Sequence, residues 1–107
     1  MPNYVFAYHA SKRPENPGQH MAKWKAWVAG LGDALVNPGI ALGKSKTVSG
    51  AGVAEGGGPN PLSGFSIVKA DSIDAAIVLA RGCPHLDFGT IEVAEDMQMQ
   101  MGPDPKR

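Results

Sequence analysis

Cysteine is nearly absent: Cys83 is the one thiol in 107 residues. A lone thiol excludes an intrachain disulfide and points to a reducing, cytoplasmic compartment. An excess of charge is absent too, since ten Lys and Arg balance ten Asp and Glu. A neutral chain lacks the field that steers proteins onto nucleic acid. Its cations, Lys12, Arg13, Lys23, Lys25, Lys44, Lys46, Lys69, Arg81, Lys106 and Arg107, are scattered, with no block interleaved by aromatics. Nucleic-acid binding is therefore not expected. No apolar run approaches the roughly 20 residues of a membrane helix. The opening residues lack a basic segment and read as a strand rather than a signal peptide. Gly43-Lys44-Ser45 has the letters of a phosphate loop. The leading glycine at the required spacing and the following helix are both missing, and no cofactor is expected.

What remains is one small domain spanning 1–107, with an ordered core over about 3–96. Asn3–His9 is rich in aromatic and β-branched residues and predicts a first strand. Pro14, Pro17 and Gly18 mark a loop whose end starts a helix, with Asn16 as cap and Pro17 at the first helical position. Met21, Trp24, Val28 and Leu31 form one apolar stripe on a helix over Pro17–Leu31, widened by Trp27, and Gly30 and Gly32 end it.

Ala34–Val36 is extended until Asn37-Pro38-Gly39 interrupts it, and Ala41–Ser49 predicts the second strand. The glycine-rich stretch 50–63 reads as a long mobile hairpin loop. Gly64–Ala70 predicts the third strand. Asp71-Ser72 caps a second helix over Ile73–Arg81, with Ile73, Ala76, Ile77 and Ala80 as its buried face. Thr90–Glu95 predicts the fourth strand, continuing through Met97, Met99 and Met101 before a frayed tail at 102–107. The order β-α-β-β-α-β is an α+β, ferredoxin-like signature.

Three stretches carry a resemblance to a known family: Gly18-Gln19-His20-Met21-Ala22-Lys23-Trp24, the run Ser63–Ser72, and Gly82-Cys83-Pro84-His85-Leu86. Leu42-Gly43-Lys44-Ser45-Lys46-Thr47-Val48 adds to them. The chain resembles the YCII-related family, including its DGPF-type relatives, over nearly its whole length. The resemblance implies a ferredoxin-like subunit whose sheet pairs with a second copy to form a dimeric α/β barrel in the cytoplasm. It also implies that some relatives are small enzymes with a histidine–aspartate pair, one of which removes chloride from a chlorinated aromatic. DGPF-type relatives are associated with alternative sigma factors. The family histidine of the first helix corresponds to His20. The family Asp-Pro before the last strand corresponds to Cys83-Pro84, so the acidic partner is missing at that position.

Topology adds a test of its own. In this split arrangement the end of strand one, the start of helix one, the glycine-rich loop and the start of strand four share one edge. His9, His20, Cys83 and His85 all map to that edge. Asp33 lies thirteen residues after His20, about 20 Å along a helix, and cannot reach it.

An imidazole takes and gives protons near neutral pH, which makes His20 the leading candidate for proton transfer and His85 a candidate assistant. The plainer readings are an exposed helix-start histidine and a structural loop histidine. Trp24, Tyr8 and Cys83 are candidate substrate-binding residues, Trp24 as an aromatic wall one turn from His20. Cys83 reads either as a nucleophile or as a packed small residue. Three histidines and a cysteine at one edge also permit zinc, but no close pair such as His-x-x-x-His is present and no metal is expected. Two functions stay open: a small acid–base enzyme acting on an organic molecule, and a non-catalytic dimeric ligand-binding or regulatory module.

Overall fold

The computed structural model describes residues 1–97. Strand β1 (Asn3–His9) leads into helix α1 (Pro17–Leu31), followed by the strands β2 (Leu35–Asn37), β3 (Lys46–Ser49), β4 (Gly52–Glu55) and β5 (Leu62–Lys69). Helix α2 (Ile73–Arg81), a 3-10 turn at Pro84–Asp87 and strand β6 (Thr90–Glu95) complete it. Four strands form a sheet in the order β2-β5-β1-β6, every neighbouring pair antiparallel. This is a small α+β domain, and its strand order and directions are compatible with a ferredoxin-like fold. Among the described residues no helix is long and apolar enough to cross a membrane.

Alternation builds the core. Tyr4, Phe6 and Tyr8 of β1 are buried, while their neighbours point to the other face of the sheet. In the antiparallel register they stand opposite Val68, Ser66 and Gly64 of β5. Large rings thus face small or medium side chains, which lets the layer fill without voids. Leu31 of α1 and Ala76 and Ala80 of α2 close over that same face, with Trp24 and Trp27 packed against it. Trp27 Nε1 donates to the Leu79 carbonyl at 3.0 Å and ties the two helices together. Fully burying a side chain such as Phe6 stabilises the fold by about 1.5–3 kcal/mol.

The helix boundaries follow local chemistry. Asn16 Oδ1 accepts from the Gln19 backbone N–H, and Pro17 opens α1. The helix runs through Gly30 and stops at Gly32. Ser72 rather than Asp71 supplies the cap of α2, accepting from Ala75 N. The expected apolar stripes are narrower than the spacing suggests. Met21 and Ile73 are exposed, because each lies in the first turns of its helix, beyond the edge of the core.

The second strand departs from expectation. The sheet takes Leu35–Asn37, and Ala41 contributes only an isolated bridge to Gly64. The cause is the Asn37-Pro38-Gly39 turn. Asn37 Oδ1 accepts from Gly39 N at 2.8 Å, and Gly39 has a φ of 70° with the Phe65 carbonyl where a Cβ would stand. Lys46–Ser49 instead pairs with Gly52–Glu55, so the stretch expected to be a loop over 50–63 contains a strand. All eight residues of this ribbon are exposed. Strand β6 ends at Glu95 and Met97 is exposed beyond it. Met99, Met101 and the 102–107 tail lie outside the described residues.

Candidate functional site

The sheet edge where β1 ends and α1 begins carries five rings in a closed circuit. His20 stands 6.1 Å from Trp24, Trp24 5.3 Å from Tyr8, and Tyr8 5.1 Å from His85, centroid to centroid. His85 lies 4.9 Å from Phe88, and Phe88 5.1 Å from His20, which closes the circuit. The topological expectation that the histidines meet at one edge holds for His20 and His85, which share Phe88. His9 joins them through its backbone, while its side chain faces the opposite side of the sheet. There Nδ1 donates to the Asn60 carbonyl at 3.0 Å and Nε2 lies 3.1 Å from Glu92 Oε1.

A cleft of about 510 Å³ opens on the outer side of this circuit. His20 and Phe88 form its aromatic floor. Residues 11–16, Gln19, Lys23, Asn60 and Asp87 form its walls. The cleft lies between the loop preceding α1 and the turn preceding β6. The space between α1 and the sheet itself is filled by Trp24 and Trp27. Neither ring nitrogen of His20 hydrogen-bonds to another described residue.

The other expected residues sit in the wall behind. Tyr8 is buried, and its hydroxyl donates to Ser66 Oγ at 2.8 Å, which in turn donates to the Pro38 carbonyl at 2.9 Å. Burial pushes the Tyr8 hydroxyl well above the usual phenol range. Trp24 backs His20 without lining the cleft. His85 is 5% exposed, and its Nε2 donates to the His9 carbonyl at 3.0 Å. Burial pushes its pKa below the ordinary histidine value. The His9 carbonyl bond opposes that shift, and the nearby His20 and His9 rings add to it.

Gly89 makes the His85 bond possible: a Cβ there would stand 2.4 Å from the His9 carbonyl oxygen and 2.5 Å from His85 Nε2. Cys83 is buried on the far side of the Lys23–Asp87 pair, and burial pushes its thiol up to about 12. A thiol so held is a packed group rather than a thiolate. Among the described residues no group of three or more His, Cys, Asp or Glu could hold a metal ion.

Phe88, Lys12 and Arg13 line the cleft, and the sequence reading gave none of them a place in a site. Phe88 follows a 3-10 turn, where no periodicity marks a face. Lys12 and Arg13 lie in a proline-containing loop and read as solvated charge until the fold brings them beside His20. The sequence matches no protein-family model and no curated protein.

Proposed function

We propose that this chain is a YCII-related subunit that binds a small organic molecule over Phe88 and transfers a proton through His20. The observation that carries the reading is His20 itself. Its ring is held by Trp24 and Phe88 while both nitrogens are left unbonded at the floor of a cleft. A proton-transfer group must reach its substrate with a free nitrogen and a fixed ring plane, and this arrangement supports both. His85 acts as a positioning residue: its bond to the His9 carbonyl orients a ring that packs on Phe88 and so holds the floor.

The protein works as a cytoplasmic homodimer. Supporting this, the sheet face turned away from both helices carries Val5, Ala7, Phe65 and Ile67 across its two central strands. Pairing of that face with a second copy is the dimeric α/β barrel that the resemblance implies.

A non-catalytic binding or regulatory module is the second reading. It is favoured by the residue at the family's aspartate position, since Cys83 offers a protonated thiol in place of a carboxylate. A thermal-stability screen of small carboxylates, phenols and lactones separates the two when run on the parent and His20→Ala. At a hundredfold excess over the dissociation constant a true ligand stabilises by about 2.7 kcal/mol. Stabilisation lost in His20→Ala, together with turnover of the same compound by the parent alone, is the expected result. Equal stabilisation in both proteins without turnover supports the binding module.

A further inference from the structure

We infer that the ligand of this cleft is a singly charged carboxylate with a flat apolar body. The inference rests on the reading of the cleft as a ligand site and names the chemistry it takes. Three cations, Lys12, Arg13 and Lys23, stand against two carboxylates, Glu15 and Asp87, in the cleft wall. Lys23 Nζ is 3.5 Å from Asp87 Oδ2 and so answers that carboxylate. Lys12 and Arg13 form no ion pair with any described residue, and Glu15 balances only one of them. The wall is left one positive charge in excess, although the whole chain is neutral. A monoanion neutralises that excess, whereas a dianion overshoots it.

The floor specifies the rest of the molecule. Phe88 and His20 stand edge to face, 5.1 Å apart, and present a hydrocarbon ring beside an imidazole. A planar body stacks on such a surface, where a compact hydrated ion gains nothing. A guanidinium such as Arg13 holds a carboxylate through two parallel N–H bonds, and Lys12 adds a point charge. The flat body then lies over Phe88, beside the free nitrogens of His20.

The test is titration of the 107-residue chain with benzoate, its neutral isostere benzamide, acetate and inorganic phosphate, followed by NMR of the His20 ring protons. Benzoate is expected to shift those signals. Benzamide, acetate and phosphate are expected to bind at least about tenfold more weakly, a factor worth about 1.4 kcal/mol. The double variant Lys12→Gln, Arg13→Gln is expected to weaken benzoate by about tenfold or more with an unchanged thermal midpoint, because both side chains are exposed and unpaired. Benzoate failing to bind overturns the inference. So does benzamide or phosphate binding as tightly as benzoate, or the double variant keeping the parent's affinity. If a neutral compound shifts the His20 signals and benzoate does not, the cleft remains a ligand site and only its charge preference is refuted. If His20→Ala turns over substrate like the parent, the proton-transfer reading fails, whatever benzoate does.

Discussion

Gly89 and His85 show how single residues hold the candidate site. In Gly89→Ala the new methyl displaces either the His85 ring or the end of β1, since its space is already taken by Nε2 and the His9 carbonyl. The buried donor and acceptor are then left unsatisfied, at a cost of about 1–3 kcal/mol, which urea unfolding measures. His85 also makes stability depend on pH. Its native pKa lies below the ordinary 6.5 because burial disfavours the charged ring. The unfolded chain therefore binds the proton first as pH falls. The stability is fully present above about 6.5 and is lost on descending from there toward the lowered native value. His85→Gln keeps a side-chain N–H for the His9 carbonyl and has no ring to titrate. Its urea midpoint is expected to fall less than the parent's between pH 7.5 and 5.5; equal falls refute this account. The meeting of His20 and His85 at one edge was legible from strand order, whereas the choice of His20 as candidate drew on imidazole chemistry and the family resemblance. The burial of His85 and its bond to a carbonyl 76 residues away in sequence were not legible, because neither leaves a local pattern.

At the scale of elements, the helices and the strands β1, β5 and β6 were legible because each carries a long, uninterrupted period or a strong cap. Asn16, Pro17 and Ser72 mark helix starts by chemistry that is purely local. The second sheet strand was misread because it has three residues, while Lys46–Ser49 carries the better β-forming letters. The turn at Asn37-Pro38-Gly39 separates the two, and tertiary pairing chose the shorter segment. Every residue of the β3–β4 ribbon is exposed, its cross-strand pair Val48 and Val53 included. Its ion pair, Lys46 with Glu55 at 3.5 Å, sits in solvent and contributes little. Replacing residues 46–55 by a short glycine–serine link is expected to change stability by less than about 0.5 kcal/mol. A larger loss by thermal or urea unfolding would mean that the ribbon supports the core.

At the scale of the molecule, the sheet has two unequal faces. Both helices cover the Tyr4, Phe6, Tyr8 and Val68 side. Val5, Ala7, Phe65 and Ile67 occupy the opposite side of β1 and β5. Association through this face predicts that Ile67→Lys, which puts a charge at its centre, yields a monomer of unchanged circular dichroism in sedimentation velocity. A variant that sediments as the parent does refutes pairing through this surface. The α+β class was readable from the order of elements, since a split β-α-β repeat leaves few arrangements open.

The ring circuit at the sheet edge has a consequence in optics. Trp24 and Trp27 are the chain's two indoles, 5.2 Å apart, and Trp24 borders both Tyr8 and His20. An indole's emission responds to the rings packed on it and to the polarity around it. The chain therefore carries its own dye: any rearrangement of the rings around Trp24 is written into the colour and brightness of its ultraviolet fluorescence.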